Sequence, residues 1–188
     1  MHPPSHALLR LSASALATLL APWAGLAMAQ DMPATTPAPA PACAAEPAAP
    51  PPAFAAWSNA TAMDAATDEP GLAMASLAPG EAEKLTLRPT PDVHYLLRPE
   101  KPGGTVSFGG MVRLQVAKAG TYRVALGSGA WIDLLRAGKP LVSAAHGHGP
   151  ACTGIRKIVD FALDAGDYVL QVAANGTPEV TVLVVPQD

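Results

Sequence analysis

Apolar and polar residues alternate with a period of two along the second half of the chain. "MVRLQV" places Val112, Leu114 and Val116 on one face and Arg113 and Gln115 on the other. "TYRVAL" groups Tyr122, Val124 and Leu126, "DYVLQV" groups Tyr168, Leu170 and Val172, and "EVTVLVV" groups Val180, Val182 and Val184. Alternation over many short runs predicts half-buried antiparallel strands. Turn chemistry separates them: "AKAG" (117–120), "RAGK" (136–139), "LDAG" (163–166) and "NGTPE" (175–179). Thirteen of the sixteen glycines fall within 103–176, which agrees with a strand-and-turn region. The pattern predicts strands over about 83–88, 92–97, 105–108, 111–116, 121–127, 130–136, 140–144, 155–163, 167–174 and 179–185, some of them merging to leave about eight. Residues 81–186 therefore read as one all-β domain, an antiparallel, jelly-roll-like β-sandwich. No helix longer than one turn is expected after residue 80.

The first half has a different texture. Residues 1–29 carry one fixed positive charge, Arg10, before a long apolar run, and end in Ala27-Met28-Ala29. Small residues at those spacings mark a signal-peptide cleavage site, so the expected mature chain begins at Gln30 and is periplasmic or secreted. From Asp31 to Pro52 eight residues are proline and most others are alanine. Such a stretch has little to bury, and 30–53 reads as a disordered, partly polyproline II tether. Residues 54–80 form a poorly defined lead-in, in which Phe54 and Trp57 could dock onto the domain and 71–77 could form one helical turn. No membrane span is expected after signal cleavage. The net charge of −3 becomes −4 once Arg10 leaves, and no basic cluster is present, so nucleic acid is not an expected partner.

An internal echo joins two parts of the domain. "VAKAGTYRVAL" (116–126) and "ALDAGDYVLQV" (162–172) share an Ala-Gly-x-Tyr turn followed by an alternating strand. Gly120 and Gly166 would make the corners. Tyr122 and Tyr168 would fill the first inward positions, each hydroxyl bonding nearby backbone. On these residues the chain resembles the pre-peptidase C-terminal domains of bacterial secreted enzymes, which implies a fold and not an activity. The runs "LRPEKPGGTVSFGG" (97–110), "AGTYRVALGSGAWID" (119–133) and "AHGHGPACTGIRKIVDFAL" (145–163) are similar to a family of small exported proteobacterial proteins. Its members often carry the label homogentisate 1,2-dioxygenase. That label implies iron held by two histidines and a glutamate. Here no glutamate lies near His146 and His148, and the nearest acid is Asp160.

The stretch "AAHGHGPACTG" (144–154) is the best candidate functional surface. In an extended segment His146 and His148 point to one side, where two imidazoles can chelate Cu, Zn or Fe. His94 is the only other histidine after residue 29, and Cys152 is a possible thiolate. In an oxidising compartment Cys152 also has a competing partner, Cys43, and an intramolecular bond would staple the tether beside the histidine loop. Pairing between chains and free thiols are the alternatives. Trp131 is a candidate sugar-stacking platform, and Arg156 and Lys157 could hold an anion or a partner carboxylate. Ser128, Asp133 and Asp160 fit turn or strand roles better than catalytic ones. Two functions remain. One is an exported binding or accessory module for an envelope protein, a glycan or a small ligand. The other is a metal-binding protein or metal-dependent, dioxygenase-like enzyme using His146 and His148.

Overall fold

A computed structural model of the chain describes Cys43 and residues 46–187. The expected signal peptide and most of the Pro/Ala tether lie outside the described residues. No described helix is long and apolar enough to cross a membrane.

Among the described residues twelve strands form two sheets. One sheet contains β1 (Thr61–Asp64), β3 (Ala82–Thr86), β12 (Glu179–Pro186), β6 (Gly120–Leu126), β10 (Lys157–Leu163) and β9 (Ala145–Gly147), in the order β1-β3-β12-β6-β10-β9. The other has the order β2-β5-β11-β7-β8, from Ser76–Leu77, Phe108–Val116, Gly166–Asn175, Trp131–Arg136 and Lys139–Pro140, and β4 (Arg88–Pro89) adds to β5. Pairing is antiparallel except for β1 with β3 and β2 with β5.

The alternating positions meet between the sheets. Leu114, Val124, Leu126, Leu134, Leu170, Val172, Val182 and Val184 are fully buried in this central core, as all-β patterning predicts. The two tyrosine corners also form. Tyr122 donates its hydroxyl hydrogen to the Lys118 carbonyl at 2.8 Å, and Tyr168 does the same to Asp164 at 2.9 Å, both four residues back. Gly166 takes φ +147°, a conformation that favours glycine, whereas Gly120 is not among the positive-φ glycines.

Several expected boundaries differ. The stretch 92–97 is not a strand: a 3-10 turn at Thr90–Asp92 leads into an irregular segment. Pro91 and Pro99 bracket that segment and cannot donate to a ladder. The segment crosses the outer face of the second sheet instead. Gln171, fully buried there, clamps Leu97 twice, accepting from its N–H at 3.2 Å and donating to its carbonyl at 2.9 Å. Tyr95 reaches across to the Val172 carbonyl, and a Cβ on Gly109 would collide with the Tyr95 hydroxyl. Of the expected strand 105–108 only Phe108 pairs, because Ser107 closes a turn onto the Gly104 carbonyl.

Residues before Glu81 also enter the fold. β1 and β2 extend the two sheets, and their two to four residues are too few to show a period. The 3-10 segment Pro52–Asn59 lies against β12 and β3. It inserts Phe54 into a second cluster with Ala82, Ala125, Ile155, Leu183 and Val185. Leu183 and Val185 alternate with the inward Val182 and Val184, so this cluster lies on the opposite face of the sheet.

Candidate binding cleft

The 144–154 stretch divides its residues between two places. β9 is short and pairs with β10, placing His146 opposite Val159, a residue of the central core. Cross-strand partners share a face, so His146 stands at the open edge between the sheets. His148 lies just past the strand and borders a notch with Cys43, Cys152 and Arg156. Both histidines are exposed. Gly149 has no room for a Cβ, which would run into Ile155. A turn then follows in which Thr153 bonds the Pro150 carbonyl at 2.8 Å. Cys43 and Cys152 form a disulfide, with Cα atoms 5.3 Å apart. The Ala48 N–H adds a 2.7 Å bond to the Cys152 carbonyl.

The proposed metal ligands are not brought together. Cys152 is committed to the disulfide. His94 is exposed in the segment over the other sheet, its N–H bonded to the Thr67 carbonyl at 2.7 Å. Among the described residues no three His, Cys, Asp or Glu side chains are placed to hold an ion. His146 and His148 do share a shallow depression with Arg123 and Asp160, and Arg123 Nε lies 3.9 Å from Asp160 Oδ1. A cation already beside that carboxylate opposes a second one there.

The more developed site is a cleft of about 390 Å³ at the edge where β7 and β8 face β9 and β10. Its apolar wall includes Leu141, Val159 and Phe161, and its polar groups include Trp131, Asp133, Lys157, His146 and Glu100. Trp131 and Asp133 sit two apart on β7, on the outer face, while Ile132 and Leu134 between and beyond them are buried. The indole N–H donates to Asp133 Oδ1 at 3.0 Å. Lys157 opens β10 and donates to the Ala130 carbonyl at 2.8 Å, with its ammonium 5.7 Å from the Trp131 ring centre. Lys101 comes from the segment held by Gln171 and stands 4.9 Å from the same ring. Each is a cation–π contact. Arg156 is exposed and lies in the disulfide notch, away from this group.

Burial shapes the charges. Asp133 Oδ2 is buried and has no hydrogen-bond partner among the described residues. Burial raises the Asp133 carboxyl above its ordinary range; the Trp131 bond opposes this and Glu100 adds to it. Lys157 is pushed down by burial and by the nearby Lys101 charge. The Tyr95 hydroxyl is pushed up to about 12 by burial and then by Asp133. Ser128 has a structural role: it donates to Asn175 Oδ1 at 2.6 Å and accepts from the Ala130 N–H at 3.2 Å.

Sequence reasoning found Trp131, Lys157 and His146 but did not connect them. It gave Asp133 a strand role and did not select Lys101 or Glu100. Those two are ordinary loop charges in sequence. Only the Gln171 clamp, itself hidden in an alternating strand, marks their position.

No family model matches the chain, and no curated protein matches it. Among solved structures it is similar to the pre-peptidase C-terminal domain of a collagenase from Bacillus anthracis, at 15% identity and a TM-score of 0.35, over 58% of this chain and 92% of that one. The assignment to the β-sandwich class rests on the two sheets themselves. The homogentisate dioxygenase resemblance finds no support in these comparisons.

Proposed function

We propose that this protein is an exported binding or accessory module of the periplasm or cell exterior, with its ligand surface in the Trp131 cleft. The observation that carries this reading is convergence. Trp131, Lys157 and His146 come from three strands and two sheets, yet they border one concave site with an oriented carboxylate. Concave sites with an apolar wall and a few convergent polar groups are where small ligands bind. The signal-peptide pattern and the disulfide both suit an oxidising compartment.

Two measurements test it. N-terminal sequencing of protein recovered from the periplasm should begin at Gln30. The Trp131 indole N–H resonance of disulfide-intact protein should shift saturably with at least one member of a panel of neutral sugars, acidic sugars and short peptides. A panel that leaves this resonance unmoved removes the cleft as the ligand surface.

A further inference from the structure

We infer that the Cys43–Cys152 bond is a thiol-exchange site: the thiolate of a small thiol adds to Cys43, Cys152 leaves, and the strap between Cys43 and the Pro52–Asn59 segment is released while the sandwich stays folded. The bond borders a notch that shares no lining residue with the Trp131 cleft, so the exchange is independent of what that cleft binds. Access, charge and the locality of the release carry it.

Cys43 is exposed and Cys152 is half-buried, and both border an open notch of about 430 Å³. Exposed disulfides are the ones that exchange with thiols. Arg156 and His148 border the same notch, and among the described residues no Asp or Glu lines it. Arg156 is in none of the described ion pairs, which are Lys84–Glu179, Arg123–Asp160 and Arg136–Asp164. A permanent cation beside the bond draws in an attacking thiolate and stabilises the sulfur that leaves. Between Cys43 and the Pro52–Asn59 segment, the described residues make one backbone hydrogen bond to the sandwich, from the Ala48 N–H to the Cys152 carbonyl. That bond and the disulfide both end on Cys152, whose φ of +63° is unfavourable for a residue with a side chain. Release of the strap frees Cys152 to relax. Phe54, beyond the strap, keeps its own anchor in the outer cluster.

The incoming thiolate forms a bond to Cys43 Sγ, the Cys43–Cys152 bond breaks, and its electron pair leaves on Cys152 Sγ as a thiolate. A second small thiolate then displaces Cys43 from the mixed disulfide. The two small thiols end as their own disulfide, and the protein holds two reduced cysteines. Cys43 is the sulfur attacked because it is the more exposed. Cys152, four residues from both His148 and Arg156, is the one that leaves beside the cation. A protein dithiol has to enter a notch walled by Pro47, Pro150 and Ile155, whereas a small thiol fits within it. Pro47, Ala48 and Ala49 also form one wall of a groove of about 870 Å³ that Trp57 borders. Release of the strap removes that wall, so the Trp57 indole reports it.

The test uses the full chain recovered with its disulfide intact, and millimolar reduced glutathione as probe at neutral pH. Mass spectrometry after alkylation should find glutathione on Cys43 and the alkyl group on Cys152, and oxidised glutathione should restore the parent mass. Arg156→Gln should slow the exchange about fivefold, Arg156→Lys should stay close to the parent, and added salt should shrink the difference. Arg156 is exposed, so its replacement leaves the packing untouched. The Trp57 indole N–H resonance should move on reduction and take the same position in Cys43→Ser, while the Trp131 indole and the amides of the sandwich stay in place. A bond that exchanges only in denaturant is a structural staple and overturns the inference. An adduct confined to Cys152, or an Arg156→Gln variant as fast as the parent, overturns it too. Resonances that shift throughout the sandwich on reduction overturn local release. Reduction by a protein dithiol where glutathione leaves the bond intact overturns the small-thiol class.

Discussion

The two faces of the β1-β3-β12-β6-β10-β9 sheet both carry a buried apolar cluster, and these are covered by different means. The inner face packs on the other sheet, where residues such as Leu126, Val182 and Val184 are wholly buried between strands far apart in sequence. The outer face is covered by one short 3-10 segment, Pro52–Asn59, which contributes a single buried side chain, Phe54. A few residues further back, the Cys43–Cys152 bond ties the same stretch to the loop after β9. The inner layer can be opened only by separating the sheets. The outer layer can lift as a unit while the sandwich stays intact, because few long-range contacts cross it.

This contrast can be broken by mutation. The largest effect is expected from Leu170→Ala in the central core, about 4 kcal/mol by urea denaturation, since the surrounding strands cannot close the cavity. Phe54→Ala should cost less, about 3 kcal/mol, because the loss is capped by the free energy of lifting the segment. Hydrogen exchange should show the amides facing Phe54 opening before those around Leu170. Equal protection at both places would mean that the layers unfold together.

Breaking the disulfide should cost less again. A closure spanning 109 residues is worth up to about 5 kcal/mol if the reduced protein holds Cys43 in place. If Phe54 stays docked, reduction frees only roughly nine residues of strap in the folded protein. Logarithmic scaling of loop closure then leaves about 2 kcal/mol. Urea midpoints with and without reductant measure this, and the loss should be smaller still in the Phe54→Ala variant, where the anchor is already gone. Additive losses would show that strap and anchor act independently.

The smallest effect lies in the cleft. Because the Asp133 carboxyl is raised in the folded protein, the folded state takes up a proton before the unfolded state as pH falls. Stability from this group is therefore greatest on the acid side and is lost as pH rises through the raised value. Asp133→Asn keeps the Oδ1 acceptor for the Trp131 N–H and removes the buried charge. It should be at least as stable as the parent at neutral pH, with the advantage shrinking towards the ordinary carboxyl range. Denaturation midpoints across that window check the sign, and an advantage growing towards acid would contradict the burial of this carboxylate.

How much of this was legible in the sequence depended on distance along the chain. Most strand positions, the two tyrosine corners and the central core follow from local alternation and turn residues, so the pattern exposes them directly. Phe54 stood out as a residue that could dock, but its seat was hidden because Leu183 and Val185 fall on the polar side of the Val182 and Val184 alternation until Phe54 is placed on them. Two cysteines behind a signal-peptide pattern made the disulfide legible, since few partners were available. The cleft was only half visible: Trp131 and Lys157 stood out as residue types, but Lys101 and Glu100 gain their meaning from a clamp between Gln171 and Leu97, 74 residues apart. His94 looked like a partner for His146 by residue type and proved to lie in the irregular segment over the other sheet.

By itself, then, the order of residues determined that this chain makes a β-sandwich, where its turns fall and which side chains face the core. Those are consequences of the two-residue period and of glycine, proline and tyrosine at strand ends, all of them short-range. The tertiary structure alone decided which charges meet at Trp131 and which histidine shares their site. It also decided what lies on the outer face of the sheet. Those outcomes depend on which strands become neighbours at an edge and where an irregular segment is pinned, and no local pattern encodes either.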